Sequence, residues 1–150
     1  MGPVLRPRRR RAVAYLLLAL LVGSGASCSS GDRVRLYSVR GQVLYKNRPV
    51  VRAMVVFHPL EGRSARDPKP IAYTDDEGRF SMTTDRPGDG APAGEYAITV
   101  ELREKTPTGV EKVHGRNLLP VRYSKPEFSG LRCRVLEGKN ELPPLNLSDK

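Results

Sequence analysis

The sequence predicts an all-β fold, a seven-stranded antiparallel β-sandwich preceded by a signal peptide. Short runs of apolar and β-branched residues alternate with polar ones from residue 36 onward, and clusters of Gly, Pro, Asn and Asp separate these runs. No segment shows the i, i+3, i+4, i+7 apolar spacing of an amphipathic helix. The runs occupy a stretch short enough for one domain, and no internal repeat divides it.

Seven strands are predicted between turn signals. In chain order their ranges are 37–45, 52–58, 71–74, 79–83, 94–102, 131–136 and 141–147. The residues 75–78 are expected to form the turn of a hairpin between the third and fourth strands, with acidic residues starting it and Gly78 adopting a positive φ. The last two strands are expected to pair across a turn at 137–140, and a short helix is expected only within 116–123.

The first 28 residues have the composition of a secretory signal. Five arginines, Arg6 and Arg8 to Arg11, precede an apolar run at 12–22, and small residues lead from there to Cys28. The apolar run has 11 residues, whereas a helix that crosses a bilayer needs about 20. The pattern predicts a lipoprotein-type signal peptide at 1–27 with acylation of Cys28. A polar tether at 28–35 and a β-sandwich domain at 36–148 would follow.

Other interpretations of this segment stay open. Lipoprotein signals usually carry Leu or a similar apolar residue three positions before the cysteine, and Gly25 stands there. Cleavage after Ala26 or Ser27 would release a soluble periplasmic or secreted protein, and the arginine cluster is also compatible with a twin-arginine export signal. The predicted location is the cell envelope, with the membrane as a partner through a lipid anchor on Cys28.

The charge balance argues against a nucleic-acid partner. The whole chain carries 26 basic and 16 acidic residues, a net charge of +10. Without the five arginines of the signal, 21 basic and 16 acidic residues remain, a net charge of +5. These bases are scattered and are not interleaved with aromatic residues, as a nucleic-acid platform requires.

No catalytic residue, cofactor or metal site is predicted. The acidic residues 75–77 lack the longer ligand-bearing loop of a calcium site, and no Gly-x-Ser-x-Gly elbow or phosphate-binding Gly-rich loop occurs. His58 and His114 leave one alternative open, a small metal-dependent enzyme or metal site. Cys133 lies in an alternating run and is expected to be a small buried apolar residue, with a disulfide to Cys28 or to a partner as the alternative.

The segment 103–130 is long for a connection within a compact domain, and it is the expected binding loop. The residues predicted to contact a partner are Lys112, His114, Arg116, Arg122 and Tyr123, whose basic and aromatic side chains suit a protein or a glycan. The alternative is a connection between the two sheets in which Leu118, Leu119 and Tyr123 pack against the core.

Four motifs follow one another along the chain. They are a Gly-x-Val-x-Tyr opening at 41–50, an Ala-x-Val-x-Phe strand at 53–59, a Thr-Asp-x-x-Gly-x-Phe hairpin at 74–80 and a Pro-x-Gly-x-Tyr strand entry within 87–96. In this order they resemble the motifs of carboxypeptidase-regulatory-like and transthyretin-like β-sandwich domains. Asn47 stands where that family usually has Gly, and Asn also tolerates a left-handed turn. The segments 119–124 and 135–142 are similar to those of small planctomycete-type lipoproteins.

The resemblance implies an exported, surface-anchored accessory domain whose motif residues are structural. With the signal segment, it predicts a lipid-anchored, non-enzymatic module that has a structural or binding role at the cell envelope. Its expected partner is an envelope protein or a glycan. The alternative function is the metal-dependent site that would use His58 and His114.

Overall fold

The computed structural model describes residues 1–2, 34–61, 69–104 and 115–149. The chain divides into two units, Met1–Arg33 and Val34–Lys150, and every described strand belongs to the second. The predicted signal peptide, Cys28 and most of the predicted tether lie outside the described residues. Within the described ranges, no helix is both long enough and apolar enough to cross a membrane.

The regular secondary structure described for the second unit is almost entirely β-strand, as the sequence predicts. In chain order they are β1 (Leu36–Tyr37), β2 (Val39–Tyr45), β3 (Arg48–Pro49), β4 (Met54–Pro59), β5 (Ile71–Tyr73), β6 (Arg79–Ser81), β7 (Ala91–Pro92), β8 (Gly94–Glu101), β9 (Arg132–Val135), β10 (Asn140–Glu141) and β11 (Leu145–Leu147). A 3₁₀ turn, Val121–Ser124, lies between β8 and β9, close to the short helix expected at 116–123.

The first sheet has β2 at its centre. One edge of β2 pairs antiparallel with β6 and then with β3. The other edge pairs with β10 and then with β11, and both of these strands run parallel to β2. The end of the chain therefore lies beside its first long strand.

The second sheet has the order β5-β4-β8-β9, and all of its pairings are antiparallel. The pairing of β4 with β8 is the longest, from Met54 opposite Glu101 to Pro59 opposite Tyr96. A bridge between Ile71 and Thr83 links the edge strand of this sheet to the chain that follows β6. A separate two-stranded pair, β1 with β7, completes the described pairings.

Side chains from both sheets meet in one hydrophobic core, which is the arrangement of a sandwich. Alternate residues of β4 and β8 point into it, including Val55, Phe57 and Ile98, which are fully buried. The first sheet contributes Val39 and Val43 of β2. Burial of each such side chain stabilises the fold by about 1.5–3 kcal/mol relative to an exposed position.

The sandwich has two ends, which are distinguished by the direction of β2. At the entry end, the chain passes from Val34 through β1 into β2, beside β7 and the start of β10. At the turn end, β2 turns into β3 and then β4 begins, while β8 finishes at Glu101. Seven residues of β2 (Val39–Tyr45) separate the two ends, which is about 20 Å at the usual rise of a strand.

The prediction of seven strands, all antiparallel, is wrong. Eleven strands are described: Ser38 divides the predicted strand 37–45 into β1 and β2, and the short strands β3 and β7 lie outside every predicted range. The predicted strand 141–147 is two strands, because Pro143 and Pro144 interrupt it and neither has an N–H group to join a ladder. These strands, β10 and β11, do not pair with β9 across the turn at 137–140. The turn instead carries the chain from the second sheet to the first, which makes the pairing with β2 parallel.

The turn at 75–78 forms with the predicted local geometry, but the predicted hairpin is wrong, because β5 and β6 do not pair as neighbouring strands of one sheet. Gly78 has a φ of +72°, and the Asp75 side chain accepts hydrogen bonds from the backbone of Glu77 and Arg79. A Cβ atom at Gly78 would lie 2.7 Å from the carbonyl oxygen of Val43, so a larger residue would not fit. The flanking strands β5 and β6 belong to different sheets, so this turn crosses the sandwich edge.

Candidate functional site

A cleft of about 620 Å³ opens at the turn end of the sandwich. Apolar side chains line most of it, and the full set is Tyr45, Lys46, Arg48, Pro49, Val50, Val51, Leu102, Leu118 and Leu119. Leu118 remains 47% exposed and Val51 remains 36% exposed, so the cleft leaves apolar surface in contact with water. An open apolar depression of this size is the usual form of a binding site. We call it the turn-end cleft.

A larger groove of about 780 Å³ lies along the first sheet, and several of its polar side chains are paired with residues of the turn at 75–78. Arg79 forms ion pairs with Asp75 at 3.3 Å and with Glu77 at 2.8 Å. The Gln42 side chain donates a hydrogen bond to the Glu77 carbonyl. The lining of this groove is therefore more polar than that of the turn-end cleft, which is mostly apolar.

A two-residue hairpin places cations at the rim of the cleft. Lys46 and Asn47 have φ values of +52° and +62° and lie between the paired residues Tyr45 and Arg48. Two successive positive φ values define the type I′ turn, whose twist matches that of the flanking strands. The turn keeps its geometry with Asn47 in place of Gly, and it holds both Lys46 and Arg48 beside the apolar floor.

A second turn, between β3 and β4, is held in place by a buried threonine. The Thr74 hydroxyl donates a 2.5 Å hydrogen bond to the carbonyl of Val50 and accepts one of 2.8 Å from the N–H of Ala53. Arg52 lies inside this turn with a φ of +59°, and its N–H donates to the Thr74 carbonyl. The backbone under Val50 and Val51 is therefore fixed, and Arg52 follows directly.

The end of the chain closes one side of this region. The Tyr45 hydroxyl donates a hydrogen bond to Asp149, and Lys46 Nζ lies 2.5 Å from the other carboxylate oxygen. Hydrogen bonds from Lys46 and Tyr45 lower the pKa of Asp149, while the bond to Asp149 raises the pKa of Lys46. Lys46 is thus partly neutralised, whereas Arg48 forms no ion pair with any described residue.

Two of the residues predicted to contact a partner have structural contacts within the chain. Tyr123 is buried in the core, and its hydroxyl accepts a 2.9 Å hydrogen bond from the N–H of Ser148. The Arg122 guanidinium donates to the carbonyl of Ser148 at 2.9 Å and lies 4.6 Å from the centroid of the Tyr123 ring. These contacts join the 103–130 segment to the end of β11.

Of the other three residues predicted to contact a partner, the structure describes Arg116 alone. Arg116 is exposed, and Lys112 and His114 lie outside the described residues. The Asn117 side chain accepts hydrogen bonds from the N–H groups of Leu102 and Leu119, which fixes the two arms of the segment to each other. Partner contact through this set stays a prediction.

The alternative in which the segment packs against the core agrees with the structure at two positions out of three. Leu119 and Tyr123 are buried, but Leu118 is half-exposed in the turn-end cleft. This cleft was not predicted from the sequence. Three basic residues in one run of seven, Lys46, Arg48 and Arg52, were the available sequence signal.

His58 lies on the outer face of β4 and is half-buried. Its Nε2 atom lies 2.9 Å from the Thr99 hydroxyl. Burial lowers the pKa of His58, and the charge of Lys69 lowers it further, whereas Glu127 acts in the opposite direction. In the described part of the chain, no three His, Cys, Asp or Glu side chains are grouped to hold a metal. A site that combines His58 with His114 stays a prediction, because His114 is outside those ranges.

Cys133 is a free thiol on β9. It was expected to be a buried apolar residue, and it is half-buried and packs against the edge of the core. Burial raises the pKa of its thiol to about 12. At neutral pH the side chain is therefore a protonated, weakly polar group. Acylation of Cys28 stays a prediction, since that residue lies outside the described ranges.

Comparisons with known proteins give no family for this chain. No protein-family model matches it, and no curated protein matches it. Among solved structures, the chain is similar to a 9R-lipoxygenase from Cyanothece PCC8801, with a TM-score of 0.41 and 17% sequence identity. That similarity covers 75% of this chain and 16% of the lipoxygenase chain.

Proposed function

We propose that this protein is an exported, lipid-anchored, non-enzymatic module that binds a partner of the cell envelope through the turn-end cleft. One observation carries the proposal. Val34, where the chain enters the sandwich, and the turn-end cleft lie at opposite ends of β2. A chain anchored before Val34 would therefore present the cleft away from its anchor.

The length of the tether supports this orientation. Five residues, 29–33, lie between Cys28 and Val34, and a fully extended chain spans at most about 20 Å over the six Cα–Cα steps from Cys28 to Val34. A lipid on Cys28 would hold the entry end of the sandwich close to the bilayer. The cleft, a further strand length away, would face the partners in the surrounding compartment.

The proposed export, lipid anchor and domain type rest on sequence patterns. The basic, apolar and small-residue regions of 1–27 support a cleaved lipoprotein-type signal. The motifs at 41–50 and 74–80 support a sandwich of the carboxypeptidase-regulatory-like or transthyretin-like type. Both motifs form tight turns, one at Lys46–Asn47 and one ending at Gly78, which is the role that the resemblance gives them.

Mass spectrometry of the membrane fraction tests the anchor. We expect an N-terminal, acylated Cys28, and we expect a Cys28→Ser chain to move to the soluble fraction. The Cys133→Ser chain is the matched control and should stay with the membrane, because Cys133 lies within the folded sandwich. An unmodified N-terminus at Ser27 or Cys28 would contradict lipid anchoring.

Depth-dependent quenching tests the orientation. Single cysteines at Leu136 and Leu118, in a Cys133→Ser chain, would carry a fluorophore at the entry end and at the turn end respectively. Both side chains are exposed, so labels should be tolerated. A lipid-borne quencher should quench the label at 136 more strongly than the label at 118. Equal quenching, or stronger quenching at 118, would contradict the proposed presentation of the cleft.

A further inference from the structure

We infer that the turn-end cleft binds an acidic peptide segment, with apolar side chains of the peptide on Val51 and Leu118 and its carboxylates beside Arg48 and Arg52. The inference rests on the proposed function and adds the chemical class of the partner. It requires only that the partner segment be extended enough to place an apolar group and a carboxylate within one cleft of about 620 Å³.

The charges that line the cleft favour an acidic partner. Lys46 and Arg48 are the charged residues among the described lining, and both are cations. Lys46 forms an ion pair with Asp149, but Arg48 has no ion-pair partner within the described chain. A guanidinium is well suited to a carboxylate, because its N–H groups match the two carboxylate oxygens.

The backbone conformation of Arg52 is the second observation that favours an acidic partner. Arg52 has a φ of +59°, in the left-handed region that favours glycine. A non-glycine residue in that conformation is strained. The Thr74 hydrogen bonds hold the turn in this shape, so glycine would be the less strained choice. An arginine is present instead, directly after Val51 of the cleft, which adds a third cation to the same end.

The apolar floor distinguishes a peptide from the other envelope ligands. Sugar hydroxyls lose hydrogen bonds with water on a surface formed by Val50, Val51 and Leu118, which offers none in return. In the proposed orientation, lipid headgroups lie near the entry end. The cleft is about one strand length away from Val34, so it would not contact them. A peptide can supply both an apolar side chain and carboxylates within a few residues.

Binding of defined probes to the full chain tests the inference. The main probe is a fluorescein-labelled peptide of alternating Glu and Leu. Three comparison probes are the Gln-Leu analogue, the Glu-Ser analogue and a peptidoglycan oligosaccharide. We expect saturable binding of the Glu-Leu peptide in fluorescence anisotropy. We expect it to be at least about tenfold tighter than that of the other probes, and to weaken with salt as an exposed charge pair does.

Paired variants locate the site. Arg48→Glu and Leu118→Glu should each weaken binding of the Glu-Leu peptide about tenfold. Arg86→Glu and Leu136→Glu are the matched controls, because both residues are exposed and belong to the entry end. Equal loss in the controls, or no loss in the cleft variants, would overturn the assignment of the cleft.

The outcome for the other probes separates this inference from the proposed function. If the oligosaccharide or the Gln-Leu peptide binds as tightly and Leu118→Glu abolishes that binding, the cleft is a binding site but the acidic-peptide inference is wrong. If none of the probes binds, the acidic-peptide inference is wrong. If an acylated Cys28 is also absent, the proposed function fails as well.

Discussion

Gly90 packs its Cα directly against the backbone carbonyl of Tyr37, and a Cβ atom at this position would overlap that oxygen. The contact lies beside the pairing of β1 with β7, in which Tyr37 is opposite Ala91. It therefore fixes the path by which the chain enters the sandwich. Gly138 has a nearly identical backbone, with a φ of +100° against +98° for Gly90, but a Cβ there would meet nothing within 4 Å.

Replacing Gly90 with Ala should therefore destabilise the fold far more than replacing Gly138 with Ala. Gly138→Ala incurs only the cost of the unfavourable φ, about 1–3 kcal/mol. Gly90→Ala incurs that cost together with a steric clash against the backbone, so we expect a clearly larger loss or no folded protein. Urea unfolding followed by circular dichroism measures both. Similar losses in the two variants would show that the Tyr37 contact relaxes without cost.

Removing the hydroxyl of Tyr123 should destabilise the packing of the 103–130 segment against the last strand. Tyr123→Phe leaves the N–H of Ser148 without the acceptor that lies 2.9 Å away, and it removes an acceptor of Arg122 at 2.6 Å. Loss of a buried hydrogen-bonding partner costs about 1–3 kcal/mol. Urea unfolding should detect this change. Tyr73→Phe is the matched control, because Tyr73 is exposed, and it should change the stability little.

The local turns were predictable from sequence because their chemistry is short-range. Gly78 was assigned a positive φ from the acidic residues before it, and the structure has a φ of +72° there. The strands were predictable for a similar reason. Larger apolar residues recur at every second position along β4 and β8, and this pattern indicates which side chains face the core. These features depend on residues that are neighbours in the chain.

The sheet arrangement was not predictable in the same way. The turn at 137–140 has the sequence of a hairpin, and the Asn140 side chain closes it by bonding to the backbone of Leu136. Yet the strand after it pairs with β2, which lies about a hundred residues earlier in the chain. The cleft was missed for the same reason, because it combines a hairpin at 45–51 with Leu102, Leu118 and Leu119. Neither juxtaposition leaves a local sequence signature.

The thiol of Cys133 should react very slowly in the native protein. Its pKa is raised to about 12 by burial, and the thiolate is the reactive form. In a Cys28→Ser chain, where Cys133 is the remaining cysteine, iodoacetamide at about pH 8 should label unfolded protein at least 100-fold faster than native protein. A chain with Cys28→Ser, Cys133→Ser and Phe128→Cys is the control. Its exposed thiol should react at similar rates in both states. Native labelling of Cys133 as fast as position 128 would contradict the burial of the thiol.

The stability of the fold should decrease in mildly acidic solution because of His58. Burial, with a contribution from Lys69, lowers the pKa of His58 in the folded state below its ordinary value of about 6.5. Folding therefore favours the neutral imidazole. The stabilisation is complete above the pKa of the unfolded chain and is lost as the pH falls through the lower pKa of the folded protein. The urea midpoint should fall between about pH 7.5 and pH 5, a window above the range in which most carboxylates titrate. In His58→Gln the midpoint should change much less over this window, because glutamine does not titrate, whereas His114→Gln should retain the decrease. A decrease of equal size in His58→Gln would assign the pH dependence to another group.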